Sequence, residues 1–197
     1  MNNSSLLIEK FWQVFSDHRS DFSEMESADD PNYAIVLKHL QKVSPDIYFE
    51  FMTSPEGNEL IITADGERSL FPLVEEIIAA APDLSDWTFL ALKPQFDFPE
   101  TTEWEGVQIR IADVRCILLE CVDTDELGLQ LIVPHLNPAK EDALLNALLR
   151  AIDHGLGERR FAESIDFTEL VDTPAAEAET FPLAELDAEL TRHQSGS

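Results

Sequence analysis

The chain has 197 residues, 44% of them hydrophobic and 26% charged, and its 39 acidic against 13 basic side chains give a formal charge of -26 at pH 7. The apolar content supports a real core and excludes wholesale disorder, while the acid excess repels phosphate backbones and anionic lipid surfaces. Neither direct nucleic-acid binding nor a membrane partner is expected; cationic proteins, polyamines and divalent metals are attracted instead.

The first predicted element is a helix over residues 4–25, in which Leu7, Phe11, Val14, Phe15 and Phe22 form one stripe with Trp12 on its flank. Asp30-Pro31 reads as an N-cap followed by proline at the first helical position, and Tyr33, Val36, Leu37, Leu40 and Val43 carry a second helix over 31–43 until Ser44-Pro45. From Asp46 the period turns strand-like. Residues 47–52 and 59–63 make a hairpin around Ser54-Pro55-Glu56-Gly57-Asn58. Ser69 is placed to cap a helix whose apolar stripe runs Leu70, Leu73, Val74, Ile77, Ile78 and Ala81 up to Pro82, and Trp87–Leu92 supplies a third strand.

Residues 95–106 read as a connection, too aromatic for a floppy linker because it holds Phe96, Phe98 and Trp104, and Val107–Ile111 as a short strand. A second hairpin follows, Arg115–Val122 with Leu127–Pro134, around Asp123-Thr124-Asp125-Glu126. Asn137-Pro138 repeats the cap-plus-proline start of a helix carrying Leu144, Leu145, Leu148, Leu149 and Ile152, with Gly155 placed to end it in a left-handed conformation. Phe161–Val171 is the last predicted strand.

Residues 47–92 and 115–171 share one order of hairpin, helix and strand. The reading is an α+β fold with a duplicated ββαβ unit, a mainly antiparallel sheet of six or seven strands with helices on one face, and the N-terminal helices over an edge. The segments are then an N-terminal helical part at 1–45, the α+β core at 46–171 and an acidic appendage at 172–197, where either Leu183, Leu186 and Leu190 dock a final helix on the body or on a partner, or the tail is mobile as chain ends often are.

Two stretches are distinctive, Ala79-Ala80-Ala81-Pro82 leading to Trp87-Thr88-Phe89-Leu90-Ala91-Leu92-Lys93-Pro94, and Asp153-His154-Gly155-Leu156-Gly157-Glu158. Together they resemble a family of uncharacterised bacterial cytosolic proteins, over roughly residues 46–171. The resemblance implies no settled activity and carries over no catalytic residue. Physically these motifs are architectural: Pro82 ends a helix, Trp87 anchors a strand, and Gly157 with Glu158 shapes a turn.

Chemistry-bearing patterns are few. There is no Gly-rich phosphate loop, Gly-x-Ser-x-Gly elbow or His-Glu-x-x-His pair. Asp123, Asp125 and Gly128 begin like a calcium loop, but Leu127 and Pro134 fall where the fifth and twelfth ligands belong, so a solvated hairpin tip is the reading. Cys116 and Cys121 lie on one strand roughly 16 Å apart, too far to pair, and read as reduced thiols. His135 and His154 sit at element ends with Asp142, Asp153 and Glu158 as potential partners. For His154 the negative end of a helix dipole is sufficient explanation, and Glu158 suits a structural role in its turn. His18, His39 and His193 read as surface or helix-packing residues.

The expectation is a non-catalytic acidic binding or regulatory module, cytoplasmic, without cofactor or metal, that engages a basic protein partner through Phe96, Phe98, Trp104, His135 and Lys93. The rival is a small-ligand-binding protein or enzyme with its site between the two repeats, near His135 or Lys93. Homodimerisation is compatible with either. The absence of an apolar run near the roughly 18 residues of a membrane span, and an N-terminus without a basic start and apolar run, predict neither span nor secretory signal.

Overall fold

Every helix start that the sequence marks with a cap is shaped by a backbone donor looking for a side-chain oxygen. In the computed structural model, which describes residues 3–25, 27, 29–54, 57–121, 124, 126–174 and 179–196, Asp30 accepts from the Asn32 N–H at 2.8 Å and Pro31 opens the helix without leaving a donor unpaired. Asn137 likewise accepts from Ala139 N at 3.1 Å ahead of Pro138. At the third start the cap is Glu67, not Ser69. Glu67 accepts from Ser69 N at 3.2 Å, a 3-10 turn over Arg68–Leu70 follows, and the α-helix proper begins at Phe71 with Pro72 in its first turn.

Contacts divide the chain into two units, Met1–Lys93 and Pro94–Ser197, a division that falls inside the segment 46–171 read above as one core.

In the first unit, α1 (Asn3–Phe22) and α2 (Pro31–Leu40) precede β1 (Tyr48–Ser54), β2 (Gly57–Thr63), α3 (Phe71–Ala79) and β3 (Trp87–Ala91). β1 and β2 pair antiparallel with Tyr48 opposite Thr63; β3 then returns parallel to β2 with Ile62 opposite Ala91, giving the order β1-β2-β3. The helical stripe of α1 is the reason for its position. Ile8, Phe11, Trp12, Phe15 and Phe22 are all buried, with Trp12 edge-on to Phe89 at 4.7 Å and Phe15 edge-on to Trp87 at 4.8 Å. The Trp12 indole N–H donates to Ile77 O at 2.7 Å and so ties α1 to α3, while the buried Trp87 indole N–H in the same layer has no hydrogen-bond partner among the described residues. On β1, Phe49 meets Tyr33 of α2 at 4.4 Å.

The second unit contains β4 (Thr101–Trp104), β5 (Val107–Arg110), β6 (Arg115–Glu120), β7 (Leu127–Ile132), α4 (Glu141–Leu156), α5 (Glu158–Ser164), β8 (Phe167–Val171), β9 (Phe181–Pro182) and α6 (Leu186–Gly196). β6 and β7 are antiparallel, β8 is parallel to β7, and β9 joins the outer side of β6, giving the order β8-β7-β6-β9. The antiparallel-then-parallel strand pairing therefore occurs twice, at β1-β2-α3-β3 and at β6-β7-α4-α5-β8, the second ββαβ unit carrying the short α5 as an additional helix. The fold is α+β. Among the described residues its strands form sheets of three, two and four strands, which corrects the expectation of a single sheet of six or seven.

Three further differences have clear causes. The segment 95–106 is not all connection, because β4 forms a hairpin with β5 in which Glu105 and Gly106 take φ of 49° and 75°. Two successive positive φ values are what a tight two-residue hairpin turn requires, and Glu at the first of them hides the signal. Phe161 lies in α5, not in a strand: Glu158 to Ser164 are helix formers with Arg159 and Glu163 paired at 3.0 Å, and β8 starts only at Phe167. Gly155 does not end α4; the positive φ of 76° belongs to Gly157. Gly155 is glycine because the Phe98 ring occupies its space, where an added Cβ would stand 2.5 Å from the ring. Gly128 is covered in the same way by the ring of Phe167, its neighbour across the sheet.

The C-terminal segment docks. Leu183, Leu186 and Leu190 are each 0% exposed and share a core with Val114, Cys116, Leu129 and Leu131 of the sheet and Leu144, Leu148 and Ile152 of α4. Arg115 reaches Thr180 Oγ1 at 2.6 Å, Arg160 pairs with Asp187, and His193 meets Glu120 at 2.8 Å. Leu186→Ala is expected to lower unfolding stability by about 2–5 kcal/mol, the range for truncating a buried leucine; urea denaturation measures this, and a wild-type midpoint would mean that α6 is not part of the core.

Candidate functional site

The C-terminal turn of α4 presents carbonyls that no residue of the helix can satisfy. Gly157 N donates to Asp153 O at 2.9 Å, Phe96 N donates to His154 O at 2.9 Å, and Gln95 Nε2 donates to Gly155 O at 3.1 Å. About two turns earlier, Thr102 Oγ1 of β4 donates to Ala147 O at 2.8 Å. The segment from Gln95 to Trp104 is thus fastened along α4 by hydrogen bonds, and the fastening decides where its aromatic side chains lie.

Phe96 stacks on His154 with centroids 4.8 Å apart and planes 20° from parallel. Trp104 faces the Arg150 guanidinium at 5.0 Å, a cation–π contact. Arg150 and His154 are four residues apart and so occupy one face of α4. Phe98 points the other way, filling the space over Gly155 and packing against the core. What remains at the surface is a strip of Phe96 (38% exposed), His154, Arg150 and the half-buried Trp104. Asp97, Glu100, Glu103 and Glu105, all exposed, lie along the same segment. Arginine and tryptophan in contact, with a stacked ring pair beside them, form a preordered, largely planar surface on a segment rich in exposed carboxylates.

Of the residues expected from the sequence to take part in binding, Phe96, Phe98 and Trp104 come together on α4, with Phe98 on the inner side. His135 does not join them in any observed contact; it is exposed at the end of β7 with φ of 63°. Lys93 closes the first unit, where its Nζ lies 3.3 Å from Asp65 Oδ1. Arg150 was not legible as a site residue. Its spacing from His154 was visible, but the aromatic partners are some fifty residues away in sequence. The loop positions Asp123 and Asp125 lie outside the described residues. Among the described residues no group of three His, Cys, Asp or Glu side chains is placed to hold a metal ion. Glu158, 1% exposed, sits in the first turn of α5.

Both cysteines are free. Burial pushes the Cys116 thiol up to about 12, against a small opposing effect of Arg115, so it stays protonated and unreactive at physiological pH. Arg110 is held above its usual range by the two-point contact with Asp113, at 2.9 and 2.8 Å, and Glu67 below its usual range by the Ser69 hydroxyl and N–H.

No protein-family model, curated protein or solved structure matches the chain. No helix among the described residues is long and apolar enough to cross a membrane.

Two expectations follow. In the native protein at pH 8, iodoacetamide should label Cys121 and spare Cys116, with both labelled in urea; peptide mass spectrometry reads the sites, and native labelling of Cys116 would contradict its burial. Gly155→Ala should displace Phe98 and cost about 1–3 kcal/mol, as overpacking does. Chemical denaturation checks this, and an unchanged midpoint would show that Phe98 does not depend on the missing side chain.

Proposed function

We propose that this protein is a non-catalytic, acidic contact module that engages a basic protein partner, and that the strip on α4 is where the partner docks. The observation that carries this reading is the preordered Trp104–Arg150 and Phe96–His154 pair of contacts on a segment that also carries exposed Asp97, Glu100 and Glu105. Interfaces concentrate their energy in tryptophan, tyrosine and arginine near the centre, with a polar rim that excludes water. The carboxylates here supply that rim. They also steer: a chain of formal charge -26 attracts cationic proteins from a distance, raising association rates more than it strengthens the final contact.

The reading places the protein in the cytoplasm, where free thiols such as Cys116 and Cys121 persist. It also accounts for a stack whose two rings are both left at the surface. Burying Phe96 and His154 under a partner removes apolar area from water without reorganising either ring, since each is already held by its neighbour.

Pull-down from the native cell at low and high salt is the test. A stoichiometric basic partner should be retained at low salt and lost at high salt, and Trp104→Ala should weaken retention by about tenfold or more, as loss of a central aromatic anchor does, with an unchanged melting temperature. Retention indifferent to salt, or no partner at low salt, removes the basis of the reading. So does dose-dependent thermal stabilisation by a metabolite or metal that His135→Ala abolishes.

A further inference from the structure

The first unit carries a second feature that the α4 strip does not use, the outer edge of β1. Among the described residues β1 makes backbone hydrogen bonds to β2 alone, and its register from Tyr48–Thr63 to Ser54–Gly57 is continuous, without a bulge. Edge strands are ordinarily blunted by charged side chains, proline, a bulge or a covering element; Tyr48-Phe49-Glu50-Phe51-Met52-Thr53-Ser54 has no proline or lysine, and its single charge, Glu50, opposes only an acidic strand. Its side chains alternate. Phe49 and Phe51 face the helices, Phe49 against Tyr33 and Phe51 against Trp87 at 5.7 Å. On the opposite face Tyr48 and Met52 are each 42% exposed, Glu50 is exposed between them, and Glu59 lies across from Met52. Ile61 on that face is buried, so the open row is β1's own.

We propose that the β1 edge accepts an extended segment of a basic partner as an added strand, with a lysine or arginine side chain beside Glu50 and apolar ones beside Phe49 and Phe51. Backbone hydrogen bonds to an exposed edge give such pairing its affinity, and alternate side chains give it register. A second copy of this chain is the poorer occupant. It brings another formal charge of -26 and its own Glu50 to the seam, and like charges facing each other across strands oppose pairing. The edge is already negative, because exposed Glu50 is the one charged side chain on β1. The inference rests on the reading of the protein as an acidic contact module and assigns that module a second contact.

The test uses the whole chain and labelled peptides as long as β1, seven residues: alternating Lys-Val, a block peptide of the same composition, the alternating peptide N-methylated throughout, and an alternating Glu-Val peptide. Fluorescence anisotropy at low salt should show the alternating Lys-Val peptide binding about tenfold more tightly than the block peptide, with the N-methylated and Glu-Val peptides not bound. Hydrogen exchange should slow at Tyr48–Ser54, and Glu50→Lys should weaken binding about tenfold at an unchanged melting temperature. Equal, salt-sensitive binding of the block or N-methylated peptide, or protection confined to 95–104, overturns strand addition and leaves the acidic-contact reading standing. No salt-sensitive binding by any lysine peptide overturns both. A concentration-dependent dimer in sedimentation, with protection at β1 and no peptide bound, assigns the edge to a second copy and overturns the proposal.

Discussion

A three-stranded ββαβ unit has only one helix of its own to cover its apolar residues, and that shortage organises each unit of the molecule. Small units bury too little of their surface to be stable alone. Each repeat meets the deficit with a segment from the nearer chain end. The first takes α1 and α2, whose Phe11, Trp12, Phe15 and Val36 are buried with β2 and β3. The second takes β9 and α6, whose leucines complete the layer over β6 and β7. The repeats are alike in topology and differ in which terminus closes them, so neither terminal segment is an ornament.

Within the second unit α4 has two occupations. Its inner residues, Leu144, Ala147, Leu148, Ala151 and Ile152, are core. Its last carbonyls require donors, and the chain provides them by laying Gln95 and Phe96 across the helix end. The strip of Phe96, His154, Arg150 and Trp104 is a by-product of that hydrogen bonding: a segment held down for structural reasons leaves two planar contacts at the surface. Gly155 makes this possible. Without a side chain it lets Phe98 turn inward and pin the segment, while Phe96, two residues earlier, turns outward.

The acid excess does little to hold the fold together. Arginine and carboxylate pairs such as Arg110–Asp113 and Arg159–Glu163 are exposed and local, three or four residues apart, a kind of pair that contributes at most about 1 kcal/mol. Arg150 differs from them in resting on an indole face. In a chain where carboxylates are three times as numerous as cations, a guanidinium placed on an aromatic ring belongs to a surface with a different composition from its surroundings.

Periodicity, caps and turn residues are local, and whatever they govern was legible: the α1 stripe ending in Phe22, the Asp30-Pro31 and Asn137-Pro138 starts, both hairpins, and the doubled order of elements that makes the fold α+β. Where two conformations compete on nearly equal local terms, the tertiary structure decided. Glu105 takes a positive φ because β4 and β5 gain a hairpin on α4; Gly155 stays helical because Phe98 fills its empty side; the weakly amphipathic 181–190 becomes core because the second sheet has an uncovered face. The candidate site belongs to the same class. Residues 96 and 104 meet residues 154 and 150 only through the carbonyls at the end of a helix, a demand that is generated by folding and has no representation in the order of side chains along the chain.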